Sequence, residues 1–270
     1  MSYATIMVHL EGDREADARA TLAGGLADRF HAELIGINAW MPRPRPVVDP
    51  DVSAREFEHL KALSQSLNDK FKQKMSSGGR RVECRTFHEF PTECVAREAR
   101  AADLLIIGRE SPVKDAYLSP DPAAVVLKAG RPVLIVPPGT KALAARRAIV
   151  AWKDTREARR AISDALPLLH MADEVIVTEI CEHGADVASS QRRLRDVVQY
   201  LSRHGVLCAV DRVRSVEGTA VVSLLNLAQD SSADLFVAGA YGHSRLGEWM
   251  FGGVTQGLLE KSPVCLLLSH

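Results

Sequence analysis

Lysine and arginine together number 34, and aspartate and glutamate also number 34, so the chain has no excess charge of either sign. No general field draws it onto nucleic acid or an anionic membrane, and neither partner is expected. No apolar run approaches the length that spans a bilayer. The opening residues Met1 to Glu11 lack the basic and long apolar regions of a secretory signal. The five cysteines (Cys84, Cys94, Cys181, Cys208, Cys265) are odd in number and never spaced C-x-x-C, which argues against a disulfide framework or a zinc ribbon. The expected location is therefore the reducing cytoplasm. The nine histidines show no H-x-x-x-H or H-E-x-x-H spacing, and no metal site is expected. The chain also lacks a G-x-S-x-G elbow, a Walker A motif and an H-x-E…C-x-x-C pattern, which leaves no strong candidate for nucleophilic or zinc chemistry and no catalytic residue assigned.

A repeat is present. Ala102-Asp103-Leu104-Leu105-Ile106-Ile107-Gly108 returns 131 positions later as Ala233-Asp234-Leu235-Phe236-Val237-Ala238-Gly239, and the same offset carries Arg131–Val136 onto Ser262–Leu267. With 270 residues, 46% of them hydrophobic, each copy is long enough to bury its own core. Two domains are expected, 1–140 and 141–270, with Pro137-Pro138-Gly139-Thr140 as the linker.

Short β-branched runs alternate with longer amphipathic ones in both copies, the pattern of a parallel sheet covered by helices on both faces. The first copy reads as strands Thr5–Leu10, Glu33–Ala39, Val82–Phe87, Leu104–Ile107 and Val133–Val136. The second reads as Ala148–Ala151, Glu174–Ile180, Val206–Val210, Leu235–Ala238 and Val264–Leu268. Ala158, Ile162, Leu166 and Leu169 mark one helix face, and Leu60, Leu63, Leu67, Phe71 and Met75 another. The fold class is α/β, two tandem doubly wound five-stranded parallel-sheet domains. Matching Ile6 to Ile149 requires an offset of 143, so about twelve extra residues precede the fourth strand of the first copy, part of them in the proline-rich Met41–Pro46.

The copies differ after their shared glycine. Gly239 is followed by Gly242, then by Gly252 and Gly253 ahead of an expected helix Thr255–Lys261; after Gly108 no glycine appears until Gly130. Glycine lets backbone amides approach anionic oxygens, and a helix N-terminus adds unpaired donors and partial positive charge. Arg245 offers a cation and Thr255 a hydroxyl. In the first copy Glu110, Pro112, Pro120 and Pro122 replace such a cradle, so that site reads as degenerate, kept for packing or for a different ligand.

Gly239-x-x-Gly242, nine residues, then Gly252 resembles the ATP-binding motif of the universal stress protein family, and the repeated strand order extends the resemblance over nearly the whole chain. The resemblance implies the adenine nucleotide alpha-hydrolase-like fold of that family. It implies that ATP or another adenine nucleotide, with or without magnesium, is held in the second domain by Ala151, Trp152, Lys153, Ala238, Gly239, Gly242, Gly252, Gly253, Val254 and Thr255. It also implies action in stress response through an unidentified protein partner, and pairing as a homodimer or, through Val133–Val136 and Val264–Leu268, as an intramolecular pseudo-dimer. Two positions depart from the motif. Gly253 stands where a serine or threonine is usual, and Lys153 stands where an acidic residue follows the first strand near the adenosine.

Several residues admit two readings. Asp154, three before Glu157, fits a capping box or a ligand contact. Trp152 either stacks on a base or closes the core. His243 either touches phosphate or is a solvated loop residue. Three functions follow: an adenine-nucleotide-binding stress protein, an interaction scaffold that binds no nucleotide, and a weak ATPase using His243 or Glu248.

Overall fold

The computed structural model describes residues 2–13, 15–44, 50–76, 79–109, 115–181, 186–215, 218–242 and 253–270. They fall into two compact units.

The N-terminal unit spans Tyr3–Arg131 with Pro138–Ala142. Its elements are β1 (Thr5–His9), α1 (Ala16–Phe30), β2 (Glu33–Ala39), α2 (Pro50–Met75), β3 (Val82–Phe87), α3 (Pro91–Glu98), β4 (Leu104–Gly108) and α4 (Pro122–Lys128). The strands lie in the order β3-β2-β1-β4, all parallel. Leu104 to Ile107 are fully buried, as a strand covered by helices on both faces must be.

The C-terminal unit consists chiefly of Pro132–Pro137 and Leu143–His270. Its elements are β5 (Val133–Val136), β6 (Arg147–Ala151), α5 (Arg156–Leu169), β7 (Glu174–Cys181), α6 (Val187–Arg203), β8 (Ala209–Ser215), α7 (Ala220–Ser231), β9 (Leu235–Gly239), α8 (Gly253–Lys261) and β10 (Cys265–Ser269). The order is β5-β10-β9-β6-β7-β8, and the last strands of the two repeats pair antiparallel, with Leu267 opposite Leu134. The strand that ends the first repeat thus packs with the second.

The apolar face read for α5 is buried throughout, Ala158, Ile162, Leu166 and Leu169 each being at most 4% exposed. Each such aliphatic side chain contributes roughly 1.5–3 kcal/mol by leaving water. Phe71 and Met75 anchor the end of α2, whereas Leu63, nearer its start, remains exposed.

One strand lies elsewhere than the apolar run Val206–Val210 predicts. Val206 closes α6, its amide donating to the Leu201 carbonyl at 2.9 Å, and Leu207 is 82% exposed. The strand begins at Ala209 and carries Asp211, Arg212 and Arg214, charges that suit an edge strand in solvent.

Candidate functional site

Winding in the C-terminal unit starts at β6, runs outward to β7 and β8, and returns to β9 on the other side of β6. The C-terminal ends of β6 and β9, where Ala151 faces Ala238, therefore open a crevice at the switch of direction. A cavity of about 590 Å³ lies there, within the range of roughly 300–1,000 Å³ usual for small-molecule sites. Ala151, Trp152 and Lys153 line it from β6, Ala238, Gly239 and Gly242 from β9, and Gly253, Val254 and Thr255 from α8. Gly252, His243, Arg245 and Glu248 lie outside the described residues. The cavity also draws on positions the motif did not mark: Thr155, Thr178, Glu179, Ile180, Tyr241 and the segment Gly218-Thr219-Ala220.

The glycine spacing has a packing cause. A Cβ on Gly239 would lie 2.4 Å from the backbone nitrogen of Ala158, so β9 reaches the crevice only because this residue has no side chain. A Cβ on Gly242 would lie 2.7 Å from Oε2 of Glu157 and 3.0 Å from Oγ1 of Thr155. Both glycines thus rest on the first turn of α5. That turn is capped by Thr155, whose hydroxyl accepts from the Ala158 amide at 3.3 Å. The capping box expected at Asp154 does not form, because the helix starts one residue later; Asp154 instead pairs with Arg159 at 3.3 Å. Burial pushes the Glu157 carboxyl up, but hydrogen bonds from Arg156 and Thr155 outweigh it and hold the group below its ordinary value. It is a carboxylate at neutral pH.

Three helices start at the cavity wall. Besides α5, the N-cap Thr219 of α7 accepts from the Val222 amide at 3.3 Å, and α8 opens at Gly253, where an added Cβ would meet nothing within 4 Å. Helix N-termini present unpaired amides and partial positive charge, each worth about 0.3–1 kcal/mol to an anion, and up to about 2 kcal/mol where solvent is excluded. The Trp152 side chain, 8% exposed, both closes the core and lines the cavity, and its indole N–H has no acceptor among the described residues. Exposed Lys153 adds a cation. These groups can donate to the oxygens of an anionic ligand, while Glu179 in the same wall can only accept. Among the described residues no group of three histidine, cysteine or carboxylate side chains is placed to hold a metal.

The equivalent crevice of the N-terminal unit holds a smaller cavity of about 210 Å³, lined by Glu11, Gly12 and Asp13 after β1 and by Asn38, Ala39 and Trp40 at the end of β2. Ile6 pairs with Leu104 as Ala148 pairs with Leu235, so the first strands match at an offset of 142, not the 143 taken from sequence. Glu11 is thereby the counterpart of Lys153. Arg19, 2% exposed, packs its Nη1 2.5 Å from where a Cβ of Gly108 would sit, donates to the His9 carbonyl at 3.1 Å and pairs with Asp13 at 3.2 Å. A guanidinium thus packs on Gly108 where the start of α5 packs on Gly239. Nothing in the glycine comparison revealed this, although Arg19 shares a helical face with Leu22, Ala23 and Leu26, where a charge is out of place. Glu110 and Pro112 lie outside the described residues; Pro122 occupies the first position of α4, where a missing amide has no helical partner to lose.

His9, 1% exposed beside Arg19, has its pKa lowered to about 3 by burial and by the guanidinium. A histidine depressed from its ordinary 6.5 contributes stability in full above that pH and loses it on acidification toward about 3, by up to about 1.4 kcal/mol per pH unit. Glu11, whose carboxyl burial pushes up, acts in the opposite sense, since there the folded state binds the proton. The difference between wild-type and His9→Leu stability profiles isolates the histidine: wild type should lose stability relative to the variant below pH 6.5, and parallel profiles would contradict a neutral buried His9.

The profile of the universal stress protein family matches residues 2–137, half of the chain and, notably, the half with the smaller cavity. Among solved structures, a universal stress protein from Archaeoglobus fulgidus is similar over 98% of this chain and 96% of its own, with 16% identity and a TM-score of 0.77. A functionally unknown protein from Pseudomonas aeruginosa is similar over 98% of this chain and 92% of its own, with 17% identity and a TM-score of 0.59. At these identities the likeness is one of fold. No curated protein matches the chain in sequence.

Proposed function

This chain belongs to the universal stress protein family, and from that premise we propose that its second repeat, residues 141–270, binds ATP or another adenine nucleotide while the first, residues 1–140, is a divergent partner that binds none. The observation that carries the reading is the convergence of three helix N-termini on one cavity at the switch point between β6 and β9. Nucleotide phosphates would lie against Gly239, Gly242, Gly253 and Thr255, with magnesium as an optional companion, and the nucleoside against Trp152, Lys153 and the end of β7. The protein then acts in stress response in the cytoplasm, through a protein partner that recognises the nucleotide-bound form. Among the described residues no helix is long and apolar enough to cross a membrane, which accords with this reading.

Gly253→Ser tests the placement of the phosphates. The site has open space for the side chain, and one added hydrogen bond of about 1 kcal/mol corresponds to a several-fold gain in ATP affinity. Calorimetric titration showing no gain would move the phosphates away from the start of α8.

A second reading, a scaffold that binds no nucleotide, is favoured by the packing of Gly239 and Gly242 on α5, which explains those glycines without a ligand. A ligand stabilises only the state that binds it, so a Tm unmoved by millimolar ATP would select the scaffold.

A further inference from the structure

With phosphates at the glycine loop and the starts of α7 and α8, the nucleoside end of the cavity points toward the C-terminal end of β7. There Lys153, Glu179 and Ile180 line the main cavity and also a second one of about 390 Å³, walled further by Asp186, Ser190 and Arg193 at the start of α6. Its two carboxylates are locally compensated. Glu179 is bound by Arg193 at 2.6 Å, and Asp186 accepts from the Ala188 and Ser189 amides at 3.0 and 3.2 Å as the N-cap of α6. Arg193 also donates to Ser190 at 2.8 Å, which holds its guanidinium at the wall.

The residue two positions beyond the first strand lines the crevice in both repeats and differs between them. The first repeat carries Glu11 at this position and the second Lys153. A carboxylate accepts hydrogen bonds from ribose hydroxyls, whereas an ammonium has no lone pair to offer and only donates. A phosphate monoester supplies nearly two negative charges and three acceptor oxygens to such a donor, and in dinucleotide-binding folds the same exchange of acid for base accompanies a phosphorylated ribose.

We infer that the ligand of the second repeat carries a second phosphate on its nucleoside, at the ribose 2′ or 3′ oxygen, held by Lys153 at the mouth of the side cavity, with the Arg193 guanidinium, shared with Glu179, in the wall behind it. The inference rests on the nucleotide reading above and specifies its ligand class.

The test compares AMP, adenosine 2′,5′-bisphosphate and adenosine 3′,5′-bisphosphate by calorimetry and by Trp152 fluorescence, on wild type and on Lys153→Glu, an exposed position where substitution leaves the core intact. One bisphosphate should bind about tenfold or more tightly than AMP, an advantage that shrinks as salt rises and disappears in Lys153→Glu. If AMP binds as tightly as both bisphosphates, or if the advantage survives Lys153→Glu, the inference falls and the nucleotide reading stands. If none of the three binds at millimolar concentration, both fall.

Discussion

Gly239→Ala is expected to destabilise the C-terminal unit by about 3 kcal/mol, the upper end of what overpacking a well-packed site costs. The added methyl would sit 2.4 Å from the Ala158 nitrogen and 2.5 Å from the Glu157 carbonyl carbon, both backbone atoms at the first turn of α5. A side chain can rotate away; a capped helix start cannot. Either β9 withdraws from the crevice or α5 moves off β9 and β10, and each choice unpacks a strand that is fully buried from Leu235 to Val237. The apparent Tm should fall by about 10 °C in the absence of any ligand. A fall that appears only when nucleotide is present would mean that Gly239 serves the ligand alone. Gly253→Ala, where the same methyl meets open space, is the matched control.

Gly242→Asp is expected to weaken ATP binding at least about a hundredfold, near 2.7 kcal/mol. A Cβ there points at Oε2 of Glu157 from 2.7 Å, and the new carboxylate would stand beside one that is already ionised and buried. Two like charges within a few ångströms repel each other and the phosphates alike. Gly242→Ala separates the causes, because its methyl meets the same side-chain atoms of Glu157 and Thr155 without adding a charge. Titration of both variants should show the alanine binding within about tenfold of wild type and the aspartate far weaker. Equal losses would assign the effect to crowding.

Much of the architecture is legible in the sequence because buried parallel strands are apolar without interruption. Glu33–Ala39 and Val133–Val136 lie where the runs place them, as does the half-exposed edge strand Val82–Phe87 despite its Glu83 and Arg85, and most other strands differ by one residue at an end. The exception is β8, an edge strand carrying Asp211, Arg212 and Arg214, so the neighbouring apolar run Val206–Cys208 drew the boundary toward itself.

The site was legible in proportion to how local its geometry is. Gly239, Gly242, Gly253 and Thr255 follow from a spacing along one loop and helix start. Thr219 at the start of α7 and Glu179 at the end of β7 reach the same cavity through tertiary structure alone. Gly252 belongs to the motif but lies outside the described residues. The cap at Thr155 rather than Asp154 turned on a single residue of helix phase, which composition does not set. The packing of the first repeat escaped for a related reason: its absent glycines suggested a site that had decayed, whereas Arg19 packs on Gly108 with hydrogen bonds of its own to His9 and Asp13, beside a cavity of about 210 Å³.

The central claim is that this duplicated chain holds one nucleotide, in the second repeat. Calorimetric titration of the whole chain with ATP, repeated on Gly242→Asp, measures that stoichiometry and location together. One ATP per chain, lost in the variant, is the predicted result; two per chain, none at millimolar ATP, or binding untouched by Gly242→Asp would contradict it.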